Sequence, residues 1–255
     1  MKYYPGFDIQ VNKNPLGFQS GEDVFGPIPE LRTLDSIRRS LRNPDSKGSE
    51  VLYCISMDVG KKEDFKLMEE RNLLFGVVTY ASGTIGDEPV RSQGHIHAIS
   101  PSCNASTCEV YEIFDGEAFI YMQESGQDDA GECYAIYAKV GDVIIVPPGW
   151  VHATINANIH QNMTFGAWCV RDYGFDYEDV KKHKGIAFFP VVKNDKIEWE
   201  MNKSYKKAHL TIKRAREYPE FEIEKGKPIY TQFQENPDKF LFVSKPQFIK
   251  NTWKI

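Results

Sequence analysis

The chain has 255 residues, of which 41% are apolar and 26% charged, a balance that excludes a disordered or fibrous protein and allows a sizeable core. A net charge of −5 argues against a nucleic-acid partner, although a few local cations and backbone amides would suffice to hold a small phosphate. The first ten residues contain no apolar stretch of signal-peptide length, and the longest apolar run, near 143–146, is far too short to cross a bilayer, so no membrane association and a cytoplasmic setting are expected.

Residues 1–27 are rich in Gly, Pro, Asn and polar side chains and read as an irregular arm. Leu31, Leu34, Ile37 and Leu41 recur at three- and four-residue spacing, which predicts an amphipathic helix over 29–42. Asn43-Pro44-Asp45 ends it, because proline biases the residue before it away from helix. From 51 to about 170, short runs of Val, Ile, Tyr and Phe alternate with turn residues. Strands are expected at 51–57, 73–80, 109–114, 117–123, 132–139, 142–146, 153–156 and 163–170. Asp115-Gly116 marks a turn between two of them. Residues 176–184 suggest a brief exposed helix with a basic end, closed by Gly185. Further strands are expected near 228–233 and 240–243. The domain reading is an N-terminal arm and short helix over 1–50, a β-barrel over 51–200 and a C-terminal extension over 201–255.

Two segments carry the chemistry. The first is Gly94-His95-Ile96-His97 followed by Glu109-Val110-Tyr111 and Gly116; the second runs from Gly141 through Pro147-Pro148-Gly149 to His152 and Asn156. Two residues apart on a strand, His95 and His97 point to the same face. A facing strand would bring His152 alongside them. Three imidazoles and the Glu109 carboxylate suffice to ligate Fe, Mn, Zn or Ni with positions left open for substrate.

The second segment resembles the second cupin motif at all of its fixed positions, from Gly141 through Pro147, Gly149 and His152 to Asn156. The first resembles the first cupin motif less closely: it lacks the opening glycine, and eleven residues separate His97 from Glu109. Ser92-Gln93-Gly94-His95-Ile96-His97, Glu109-Val110-Tyr111, Pro147-Pro148-Gly149-Trp150-Val151-His152 and Asp172-Tyr173-Gly174 resemble, in that order, the cupin-type glucose-6-phosphate isomerases, metal-dependent enzymes known chiefly from archaea. The resemblance covers roughly residues 50–200. It implies an all-β, jelly-roll barrel with a few short peripheral helices, assembled as a homodimer with one divalent metal per subunit. It also implies interconversion of glucose 6-phosphate and fructose 6-phosphate. Carried over residue by residue, the metal ligands are His95, His97, Glu109 and His152. Thr79, Ser92 and Gly94 face the sugar phosphate, and Tyr111 and Tyr173 line the pocket. Where the family usually has a histidine, this chain has Arg171, which cannot shuttle protons but can bind a phosphate through its planar fork. Glu109 is the motif's carboxylate and the expected base if the reaction proceeds by proton transfer through an enediol, with Tyr111 beside it; in a hydride shift it is mainly a ligand.

The alternatives are another metal-cupin enzyme, such as a dioxygenase or an isomerase of a different sugar phosphate, or a non-catalytic sugar-binding cupin. His160, His183 and His209 lie in polar stretches and read as surface residues. The odd count and irregular spacing of Cys54, Cys103, Cys108, Cys133 and Cys169 do not form a disulfide framework.

Overall fold

The computed structural model describes residues 3–249, 253 and 255. Ten strands form two facing sheets: β1 Glu30–Thr33, β2 Val51–Ser56, β3 Leu73–Tyr80, β4 Glu109–Asp115, β5 Glu117–Gln123, β6 Asp129–Lys139, β7 Val143–Val146, β8 Val151–Asn156, β9 Met163–Val170 and β10 Lys207–Arg214. The six-stranded sheet has the order β7-β4-β9-β3-β2-β1, and the four-stranded sheet the order β8-β5-β6-β10. All pairings in both are antiparallel except that of β6 with β10. The eight strands expected from the sequence are all present. Both sheets also draw on residues outside 51–200: β1 extends the edge of β2, and β10 covers the edge of β6.

The main core lies between the sheets. Leu74, Val78, Ile113, Ile120, Met122, Ile144 and Phe165 meet there, supplied by alternate positions of the strands. The outer face of the larger sheet is buried as well, so every residue of β3 and β9 is shielded from water. Leu73, Phe75, Val77 and Trp168 point outward into an aromatic cluster with Phe7, Tyr230, Phe233 and Phe240. The third cluster lies on the smaller sheet, beneath the hairpin of Phe188–Lys193 with Lys196–Met201.

Several expectations from the sequence are corrected. The expected arm 1–27 contains a hairpin, Ile9–Lys13 with Leu16–Ser20, and a short strand, Val24–Phe25, paired with Gly60–Lys61. The helix expected over 29–42 is split. Residues 30–33 become β1, with Leu31 half exposed opposite Cys54, and only Leu34–Ile37 and the 3-10 turn Arg38–Ser40 are helical. Leu34, Ile37 and Leu41 keep their buried stripe; the free edge of β2 claims the rest. The strands expected near 228–233 and 240–243 are instead the helices Ile229–Glu235 and Leu241–Ser244, the second preceded by the 3-10 turn Pro237–Phe240. Ile229, Tyr230 and Phe233 fall on one helical face and cover Trp168, a fit that alternate-residue spacing could not supply. The brief helix near 176–184 is present as Glu178–Lys182, but Val180 is buried against the smaller sheet. His183 is buried rather than a surface residue, 3.0 Å from Asp128 and stacked on Tyr205, whereas His160 and His209 are exposed. All five cysteines are free. Among the described residues no helix is long and apolar enough to cross a membrane.

Glu112 ties the chain termini to the barrel. Its buried carboxylate accepts from the Tyr3 hydroxyl and, at 3.0 Å, from the backbone N–H of Ile229 at the start of the C-terminal helix. Burial pushes this carboxyl up from 4.5 to about 7, against the pull of both donors. Its folded value exceeds its unfolded one, so the native state binds more protons between pH 4.5 and 7 and stability falls as pH rises through that window. Glu112→Gln is expected to flatten this part of the stability-versus-pH curve, read by denaturant unfolding at pH 5 and pH 8; an unchanged slope would refute the assignment. Phe233→Ala is expected to cost about 3–5 kcal/mol, because it leaves a cavity against Trp168.

Candidate metal centre

Residues 90–97 bring the first motif to the barrel wall. Ser92 N donates to Thr154 O at 2.9 Å, and His95 and His152 exchange both backbone hydrogen bonds at 3.0 and 2.9 Å. The segment therefore runs beside β8 like an extra strand, and His95 sits directly opposite His152. Gly94 enables the approach. Its φ is +92°, and a side chain there would come within 2.7 Å of Ile186. Arg91 pins the segment from behind. Fully buried, it donates to Glu88 at 2.7 Å, to Ser40 O at 2.6 Å and to Ser92 O at 2.9 Å.

The loop 98–108, longer than the motif requires, is held by Asp172. That carboxylate accepts from Asn72, Ser100 and the Ser102 backbone, each at 2.9 Å. Burial alone would raise the Asp172 carboxyl; these donors outweigh it and hold it low. At the far end of the loop, Ser106 donates to His97 O at 2.8 Å and accepts from Gly149 N at 2.9 Å. The loop thus fastens the two motifs together. Asn156 locks the following turn by donating to Ala81 O and Gln161 O.

The result is a cluster in which His95, His97, Glu109 and His152 each offer one ligand atom, all within 4.8 Å of one another. The Nδ1 atoms of His97 and His152 lie 3.0 Å from Thr107 O and 3.1 Å from Trp150 O. A carbonyl only accepts, so both rings carry their proton on Nδ1 and present a lone pair on Nε2. Both Nε2 atoms face Oε2 of Glu109 at 3.2 Å. Acceptors thus face an anion in a buried site, and the buried Nε2 of His95 has no protein partner. A cation among them satisfies every atom, so the residues fit a metal ion. Burial first, then the adjacent imidazoles, pushes His95 well below its usual range and keeps it neutral. Tyr111 donates toward Glu109; burial first, then that charge, raises its hydroxyl far above the usual value.

A partly open cavity adjoins the cluster. Of the residues singled out from the sequence, Ser92, Gly94, His95, Glu109, Tyr111 and His152 line it. His97 lies behind them. Three expected substrate contacts do not line the cavity. Thr79 points to the outer face of its sheet, where its hydroxyl accepts from Thr164 at 3.0 Å. The fork of Arg171 is bound by Asp58, with one bond at 2.8 Å, and its guanidinium lies over Phe65. Tyr173 packs on Phe175 and lines an adjoining surface pocket together with Arg171. Arg32, Tyr53, Tyr80, Phe175 and Tyr177 also line the cavity, and no motif pointed to them. Arg32 falls where a helix was expected, and the aromatic residues carry no signal beyond ordinary strand composition.

The family model for glucose-6-phosphate isomerase matches residues 37–210. The chain belongs to the glucose-6-phosphate isomerase family. It is 28% identical to the glucose-6-phosphate isomerase of Thermococcus litoralis over 77% of this chain and 95% of that one, and 27% identical to that of Pyrococcus furiosus over 73% and 99%. A solved oxalate oxidase structure aligns with 41% of this chain and 45% of its own at 14% identity and a TM-score of 0.32, too loose a likeness to carry an argument. The family's chemistry is aldose–ketose isomerisation of a sugar phosphate, and the cavity adjoins the cluster.

Arg91→Leu is expected to lower stability by about 3–5 kcal/mol in denaturant unfolding, because it strands the Glu88 carboxylate in a buried site. Wild-type stability in this variant would show that the clamp behind the motif contributes nothing.

Proposed function

We propose that this chain interconverts glucose 6-phosphate and fructose 6-phosphate at a single divalent metal held by His95, His97, Glu109 and His152. The observation that carries the assignment is the pair of Nε2 lone pairs facing the Glu109 carboxylate at 3.2 Å, in a chain of this family. When bound, the ion supplies Lewis acidity to the carbonyl and hydroxyl oxygens of the open-chain sugar.

The chain's own residues supply the rest. Thr107 O and Trp150 O fix the tautomers of His97 and His152, so their ligand atoms are aimed before anything binds. Glu109 is the one carboxylate lining the cavity among the described residues. It takes the hydrogen from one of C1 and C2 as a proton and returns it to the other, by way of an enediol. Tyr111, protonated and beside it, orients the carboxylate. Phe165, Phe175 and the stacked pair Tyr53 and Tyr80, with ring centroids 4.7 Å apart, exclude bulk water from the reacting carbons. The metal is one of Fe, Mn, Zn or Ni, since this donor set accepts each of them. On the family resemblance we extend the reading to a homodimer acting in the cytoplasm.

Protein stripped by a chelator should lose isomerase activity in a coupled assay and regain it when refilled with Fe(II), Mn(II), Zn(II) or Ni(II). Activity that survives complete stripping would sink the proposal. His152→Ala should lose metal and at least about 100-fold in activity, more than removal of an outer hydrogen-bond partner costs. Turnover of fructose 6-phosphate in deuterated water should place deuterium at C2 of part of the product, through exchange of the proton while it sits on Glu109; complete retention of the substrate hydrogen would favour a hydride shift over Glu109 as base.

A further inference from the structure

The sugar phosphate carries a dianion at the end remote from the reacting carbons, and a site for it must hold that charge. Arg171, the arginine that the motifs offer, is bound by Asp58 through both terminal nitrogens and does not line the cavity. Among the described residues Arg32 is the one Lys or Arg side chain that does. It lies on β1 opposite Tyr53, outside the residues that match the family, which begin at 37. Arg32, Ile55, Met57 and Phe175 line both the cavity and the adjoining surface pocket and so mark the mouth between them. The Arg32 side chain is 39% exposed; its guanidinium reaches the Tyr53 hydroxyl, and among the described residues its ion-pair partner is Glu30 two residues away, 2.9 Å from Nη2 and itself 65% exposed. Such a surface pair is weak and easily exchanged for a stronger anion. Tyr177 also lines the cavity, with Gln93 hydrogen-bonded to it.

We propose that Arg32 is the phosphate-binding residue of this site: its fork leaves Glu30 for the substrate's phosphate and so makes the cavity selective for phosphorylated sugars. The inference rests on the sugar-phosphate reading above. A guanidinium is suited to the task because it stays charged and meets two phosphate oxygens at once. Its position at the mouth, half in water, spares the dianion full desolvation. The helical pattern of the sequence conceals the residue, because its usefulness depends on β1 pairing with β2.

The test uses metal-loaded protein and two non-reacting probes, glucitol 6-phosphate and glucitol, by calorimetry, alongside isomerase kinetics. Wild type should prefer the phosphorylated probe, and Arg32→Met should reduce that preference by about tenfold or more while binding glucitol equally well. In kinetics the same variant should raise KM for fructose 6-phosphate with kcat largely kept, since the contact is the same in ground and transition states. Arg32→Lys should recover part of the loss, and Glu30→Gln should tighten phosphate binding or leave it unchanged. An active wild type whose preference survives in Arg32→Met overturns the role of Arg32 and spares the isomerase reading. A metal-loaded wild type without preference or turnover overturns both.

Discussion

A carboxylate and three imidazoles are buried together at one end of a β-barrel, and the rest of the structure is arranged around keeping them there. Without a cation the arrangement opposes itself. Two lone pairs face an anion at 3.2 Å, and buried nitrogens lack partners. Unpaired buried polar atoms cost free energy, so a fold that holds them in place must be stabilised elsewhere. The double burial of β3 and β9 supplies that stability: one face packs in the barrel core, the other beneath the C-terminal helices.

The ligands come from three pieces of chain that are not neighbours in the sequence, and each is fastened separately. Arg91 and the backbone ladder to β8 hold His95. The Asp172-anchored loop, with Ser106 and Thr107, holds His97 and ties it to the turn before His152. The Glu109 strand is central in its sheet, between β7 and β9. The long 98–108 loop is therefore a strut rather than a free insertion, since both its ends are hydrogen-bonded to motif residues.

The same logic separates the two arginines near the site. Arg171 stands in a recognisable motif but is paired with Asp58 and lies over Phe65. Arg32 stands in no motif, yet it lines the cavity, paired with the exposed Glu30. Charge becomes useful for binding according to what already occupies it, and only the folded neighbourhood sets that.

What the sequence determined by itself was the barrel strands and the four candidate ligands. The strands are periodic and bounded by turn residues, and His95, His97, Glu109 and His152 belong to motifs whose spacing follows from a local need, such as two side chains on one face of a strand. Tertiary structure decided the rest, because it depended on partners far away in the chain. Residues 30–33 are strand because the edge of β2 was free to pair. Residues 229–235 are helix because Trp168 offers a surface that a helical face fits. Thr79 points away from the cavity because strand alternation puts it on the outer face. Arg171 is withheld, and Arg32 presented, by ion pairs and sheet pairings that a linear reading cannot weigh.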